Sequence, residues 1–409
     1  MASALRCGVS KLLARNSISG LCKPSLGASG YIAKIQVAFI SGKAMRVVER
    51  KRPPPFPYET KRYSRWNQLF DKTVHRMDDN SKIVIVEGPI ASGKTEFAEA
   101  LAKDLDMHYM PAVTMDMHYI NSYGFDMRQL DDKLPESCRS YDVKNFCKDP
   151  HHMNCANYQL QMYYYRFFQY VDALAHLFST GEGVVLERCV YSDAIFMESM
   201  CNAGYVSKLA QRTYQDLTQL TLRELRLPHL VIYLDVPVPV VKEKIQKRGI
   251  PYEVESKVFT EQYLTDIENL YKQQYLKQMS EHAHILIYDW SEGGDPEVVI
   301  EDIERLNFDA DDRDDLKFRD WQFWDANDWS DTRRIYADEK MSFKVLFNLG
   351  EVNAPELIVS GADHLAYQKV WENAPGNKYM KGFNKDMGDT GLLWKGRPTI
   401  REYRMPFFS

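Results

Sequence analysis

One stretch, Ile83 to Thr95, constrains the fold more than any other. Ile83-Val84-Ile85-Val86 is a short apolar run without alternation, the pattern of a strand covered on both faces. It runs into Gly88-Pro89-Ile90-Ala91-Ser92-Gly93-Lys94-Thr95, which satisfies G-x-x-x-x-G-K-S/T at every fixed position. Gly88 and Gly93 permit the tight turns that aim backbone N–H groups into a concave anion site, with Ser92 between them. Lys94 supplies a point charge for β- and γ-phosphates, and Thr95 offers a hydroxyl for Mg²⁺. Phe97, Leu101 and Leu105 then recur at helical spacing, so a helix N-terminus faces the phosphates. A glycine-containing turn that matches by chance is the bland alternative. The strand before it and the helix after it weigh against that.

The chain has 409 residues, enough for two to three domains, and is 44% hydrophobic and 27% charged, so it can bury a large core. Its net charge of −5 is unevenly spread. Residues 1–48 hold Arg6, Lys11, Arg15, Lys23, Lys34, Lys43 and Arg46 and no acid. The body is therefore more acidic than the whole, which argues against nucleic acid as the main partner. An acid-free segment rich in Arg, Ser, Ala and Leu reads as a mitochondrial transit peptide, with a disordered basic tail as the alternative. The seven cysteines form no C-x-x-C or C-x-x-H pair, so no zinc or iron–sulfur signature is present. His151-His152 reads as a solvated turn. Tyr158 to Phe178 is strongly aromatic but carries Arg166, Asp172 and His176, the mark of a buried core helix and not of a transmembrane one. Membrane association would run through a partner.

Pro53-Pro54-Pro55-Phe56-Pro57 makes residues 49–80 an extended arm, followed by a short helix near Tyr63 to Asp71. Residues 81–250 alternate strand and helix, within a phosphate-loop domain expected over 81–306. Further strands are expected near His108 to Val113, at Gly183 to Leu186, at Leu230 to Asp235 and at His284 to Tyr288. Helices are expected near 157–179, 192–201, 206–225, 240–248, 259–280 and 297–306, and residues 114–157 read as irregular up to the first of these. This predicts an α/β, doubly wound parallel sheet whose active face lies at the strand C-termini, where Gly88, Glu187 and Asp235 fall. An acidic tract at 309–315 marks a boundary. Beyond it, in an extension over 307–409, lie Trp321, Trp324, Trp329, Trp371 and Trp394. Clustered aromatics without periodicity fit either extended segments packed on another protein or a small private core.

Glu187-Arg188-Cys189-Val190-Tyr191-Ser192-Asp193 resembles the E-R-S-x-Y/F-S motif of deoxyribonucleoside kinases. Lys148-Asp149-Pro150 followed by Tyr158-Gln159 resembles that family's approach to its base-reading Gln. Pro228 to Leu234 resembles its strand before the lid helix, and Tyr263-Leu264 with Asp266 its sugar-contacting helix. The resemblance covers roughly residues 81–290, in the family's order. Together with the proline-rich arm, Asp235-Val236-Pro237-Val238-Pro239 and the aromatic extension, it is similar to a branch of the family that serves as accessory subunits of mitochondrial respiratory complex I. That implies other complex I subunits as partners and a peripheral place on the matrix side of the inner membrane.

Measured against the family's pattern, the chain departs where chemistry is done. Phosphoryl transfer needs a carboxylate beside the attacking hydroxyl, and a positioned base contributes about 10²–10⁴-fold. The family's E-P pair appears here as Met110-Pro111, with Asp116 as the available substitute. Cys147 replaces the sugar-binding Tyr, and Ala194 the Arg after Ser-Asp. The lid keeps Arg248 but has Ile250-Pro251 where a second Arg is expected. The resemblance thus implies a catalytically silent kinase-like fold. It would hold one nucleotide, a purine deoxynucleotide or an ATP-like molecule, through Gly88, Ser92, Gly93, Lys94, Thr95, Gln159, Arg188, Asp193 and Arg248. An active kinase using Glu187, Arg188 and Asp116 is the alternative, and a nucleotide-sensing regulator a third reading.

Overall fold

The computed structural model describes residues 40–43, 45, 53–71, 73–308 and 316–390. Most of the expected leader, the acidic tract at 309–315 and Trp394 lie outside them. Five strands form one sheet: β1 Ile83–Glu87, β2 His108–Met110, β3 Val184–Glu187, β4 Leu230–Asp235 and β5 His284–Asp289. Their order is β2-β3-β1-β4-β5, and all four pairings are parallel. Every residue of β1 is buried, which is why its sequence shows no alternation. Ile83 and Ile85 point into one apolar cluster with the helix Cys155–Thr180. Val84 and Val86 point into the other, with the helices Lys94–Leu105 and Pro296–Glu304. The doubly wound expectation is met, and the strand C-termini share one edge.

Differences from the sequence reading have local causes. The helix after β4 begins at Val238 because Pro239 sits in its first turn, where its missing N–H is no loss. The helix expected over 259–280 is Glu261–Leu270 and Leu276–Ser280 joined through a π turn, Tyr271–Tyr275. Residues 114–157 contain the short helices Asp116–Tyr119 and Val143–Lys148, too short to show a period. The extension is helical at Ala326–Ala337 and Gly361–Glu372. Its aromatics pack partly on one another, as Phe323 does on Trp329 at 4.0 Å, and partly on the phosphate-loop domain, so they form no core separate from it. Among the described residues, several pack on the long helix, where Phe178 meets Trp321 stacked at 5.8 Å, Trp329 at 5.7 Å and Tyr336 stacked at 6.1 Å, while Trp371 lies against Tyr367 and His118 and Trp324 is exposed.

Two further contacts tie the chain's ends to the sheet. Ile40, within the expected leader, is fully buried beside Leu101 and Ile300. Ser41 N–H donates to Asn80 Oδ1 (2.9 Å), Asn80 Nδ2 donates back to Ser41 O (2.8 Å), and Gly42 N–H donates to Glu304 Oε1 (2.7 Å). At the start of β4, His229 Nδ1 accepts from Ile83 N–H (3.0 Å), and its ring lies 4.1 Å from that of Trp321. Burial, then Lys82 and His284, pushes the His229 imidazole well below its usual range. The unfolded chain takes up this proton near its ordinary value of about 6.5, and the folded chain does not. Stability should therefore fall as pH drops below about 6.5, by up to about 1.4 kcal/mol per pH unit from this group. Urea melts of wild type and His229→Gln across that window check this. The variant, whose amide oxygen can still accept from Ile83, should show the shallower slope.

Candidate nucleotide site

The phosphate loop follows β1 directly. Gly88 lies so close to β4 that a Cβ would stand 2.7 Å from Leu234 O, and Gly93 has φ +87°. Ala91 (φ +57°) and Arg188 (φ +65°) also take left-handed backbone, the second where β3 turns out of the sheet. Glu87, fully buried, captures that turn: its Oε1 accepts from Cys189 N–H (3.1 Å). Its Oε2 accepts from the Tyr271 hydroxyl (2.9 Å), which in turn accepts from Arg188 Nη1 (3.0 Å). The π turn thus supplies the link between Arg188 and the carboxylate at the end of β1.

Above this edge lies a cavity of about 590 Å³, within the range of small-molecule sites. Lys94, Asp116, Gln159, Glu187, Arg188 and Arg248 line it, whereas Gly88, Ser92, Gly93, Thr95 and Asp193 do not. Lys94 Nζ folds onto the loop, donating to Pro89 O and to Ser92 Oγ (3.2 Å). Burial, then the Arg188 guanidinium, holds its ammonium well below the usual lysine range. Two cations crowded into a cleft suit a polyanion. Thr95 Oγ1 donates to Glu187 Oε2 (2.9 Å), which also accepts from Tyr109 OH (3.1 Å). Thr95 and Glu187 are an oxygen pair of the kind a hard cation such as Mg²⁺ takes.

The substitute base and the lid cation are both engaged. Asp116 pairs with Arg128 Nη2 at 2.7 Å, and Arg128 also binds Asp126 and Asp142. Arg248 Nε donates to Glu253 Oε2 (3.0 Å) just past the lid helix. Met110, at the end of β2, offers no proton acceptor. Cys147 is buried outside the cavity lining. Tyr263 and Leu264 line the cavity, but Asp266 faces away, accepting from Asn202 Nδ2 (3.0 Å).

Asp193, expected to meet a base, is fully buried and does not reach the cavity. Its carboxylate accepts from Gln159 Nε2 (2.8 Å), from Tyr214 OH (2.8 Å) and from Arg166 Nη1. Gln159 and Arg166 present the remaining edges of this cluster to the cavity, with Arg166 5.1 Å over the Phe196 ring. Arg166 and Arg128 escaped the sequence reading. Seven residues after Gln159, Arg166 falls on the same helical face, a usable signal. Arg128 sits in an irregular segment that offers none.

The family described as deoxynucleoside kinase matches residues 84–321. The chain belongs to that family. It is 38% identical over 329 residues to NADH dehydrogenase (ubiquinone) 1 alpha subcomplex subunit 10, mitochondrial, of Mus musculus, spanning 80% of this chain and 88% of that one. The Bos taurus protein of the same name is 36% identical over 330 residues, 80% of this chain and 91% of that one. This kinase-family chain therefore also belongs with the alpha subcomplex subunit 10 proteins. Deoxyguanosine kinase of Dictyostelium discoideum is 25% identical over 240 residues, covering 58% of this chain and 73% of that one.

Proposed function

We propose that this chain is a non-catalytic accessory subunit of mitochondrial respiratory complex I. It would support assembly and stability from the matrix side of the inner membrane, and its kinase fold would hold one nucleotide as a structural ligand. The observation that carries the reading is the 38% identity over 329 residues, a span well beyond the kinase match at 84–321. No helix among the described residues is long and apolar enough to cross a membrane, in keeping with attachment through other subunits. Catalytic silence is supported by Met110 at the end of β2, by Asp116 held on Arg128 and by Arg248 held on Glu253. A silent site that retains Lys94, Arg188 and Gln159 gains stability from an occupant without turnover.

Native electrophoresis of mildly solubilised mitochondria, with an in-gel NADH dehydrogenase stain and an antibody to this chain, tests the placement. Migration with the very large NADH-active band is expected, and migration only as a small soluble species would sink the subunit reading. Nucleotide extracted from the purified, denatured protein and identified by mass spectrometry tests the ligand. The kinase alternative draws on Glu187 and Arg188, both of which face the cavity. Phosphorylation of deoxyguanosine from ATP by the purified chain would favour it.

The seated Ile40–Gly42 segment also supports a reading of where processing stops. If a leader is removed, the cut is expected before Ile40, because a cut after it would empty a buried site. N-terminal sequencing of the mature chain is expected to begin at or before Ile40.

A further inference from the structure

The C-terminal extension reaches the nucleotide cavity from outside. One wall of the cavity is built by residues 112–116, Arg128 and residues 142–144. Between these points the chain makes little regular structure: an isolated bridge from Ile120 to Asp126 and short turns. Such a segment has low local stability unless something holds it. From the cavity side, Arg128 gathers Asp116, Asp126 and Asp142. From the outer side, residues 361–389 hold it.

Those outer contacts are specific. Asn121 Oδ1 accepts from Tyr123 N–H and Phe125 N–H, closing a turn, while Asn121 Nδ2 donates to Pro375 O (2.7 Å) and Asn377 Oδ1 (3.0 Å). The Tyr123 hydroxyl donates to Asp389 and accepts from Gly382 N–H (2.9 Å) and Asn384 Nδ2 (3.2 Å). Gly376 lies against Tyr123 so closely that a Cβ would stand 2.5 Å from its ring. Ser137 Oγ donates to Asp363 Oδ2 (2.9 Å), and the His118 and Trp371 rings lie 5.5 Å apart. No residue of 361–389 lines the cavity, and all of it lies beyond the kinase match that ends at 321.

We propose that residues 361–389 are a strut that presets the cavity wall, so that seating of the extension and nucleotide occupancy of the cavity favour one another. The strut rests on the contacts alone; its linkage to a nucleotide rests on the ligand reading given above. An extension that orders the wall in advance removes an ordering cost that a nucleotide would otherwise bear, which raises affinity. Linkage is reciprocal, so the occupied cavity holds the extension more firmly.

The test uses the full chain carrying Asn121→Asp with Tyr123→Phe. Aspartate keeps the two acceptor bonds that close the turn and loses both donor bonds to the extension. Phenylalanine keeps the ring against Gly376 and loses the hydroxyl hub. Glu356→Ala is the control: it removes a contact of the extension to Ser207 N–H, away from the wall. Two readouts are taken: calorimetric affinity for dGTP and for ATP, and amide hydrogen exchange over 112–144. The double variant should bind about tenfold more weakly and exchange faster across the wall, while the control matches wild type in both. Adding the bound nucleotide to wild type should slow exchange over 361–389. Wall exchange equal to wild type in the double variant overturns the strut. Faster wall exchange with unchanged affinity overturns the linkage. If wild type binds neither nucleotide, the ligand reading and the linkage fall together, and the exchange comparison then decides the strut alone.

Discussion

Arg166→Met should destabilise the protein by about 3–5 kcal/mol, because it strands a buried carboxylate. Asp193 is fully buried and Arg166 is its charge partner. Methionine fills much of the arginine's volume, so little of the loss arises from a cavity. Gln159 and Tyr214 would still donate to Asp193, which places the expected cost toward the lower end of that range. Adding Asp193→Asn to the variant should restore part of the loss at neutral pH. Urea unfolding of the three proteins measures all of this. A loss under about 1 kcal/mol for Arg166→Met would mean that the pair contributes no more than an exposed one.

Phe178→Ala should cost a similar amount, about 3–5 kcal/mol, and should act at a distance in sequence. Phe178 is fully buried near the end of the long helix, with Trp321, Phe323, Trp329 and Tyr336 around it. Removing the ring takes away the surface on which the extension's aromatics are seated. The expected readouts are a lowered urea midpoint and earlier tryptic cleavage within 316–340, while residues 81–306 stay protected. Equal cleavage rates in variant and wild type would show that the extension is held elsewhere, for instance through Arg333, which is fully buried beneath Tyr63 at 3.8 Å and paired with Asp338.

What could be read from the sequence follows from where the information is local. The phosphate loop, β1 and the helix after it are consecutive residues with fixed spacing, so their arrangement was legible before any coordinates. β3 and β4 were legible for the same reason, as uninterrupted apolar runs. Asp193 was legible as a motif position but not in its role, because only the fold shows that Gln159, Arg166 and Tyr214 enclose it. Asp116 was legible as a carboxylate near the right strand, but not as one already committed to Arg128. The aromatic extension was visible in composition alone. Its partner, Phe178, lies over a hundred residues away in a helix whose own apolar pattern already looked complete.

The hydrogen bonds that close this chain span long stretches of sequence. Gly42 reaches Glu304 across 262 positions, Asn121 reaches Asn377 across 256, and Tyr63 reaches Asp338 across 275. At equilibrium such closures cost little more than shorter ones, since the entropy grows only with the logarithm of length. In time they matter far more, because non-local pairing is slow. As the chain emerges N-terminus first, Gly42 waits for residue 304, the proline-rich arm for residue 338 and the cavity wall for residue 389. A premature stop codon before residue 304 would leave the early strands made but without the whole of the helix Pro296–Glu304 that covers one face of them, a substrate for quality-control proteases and not a smaller working domain.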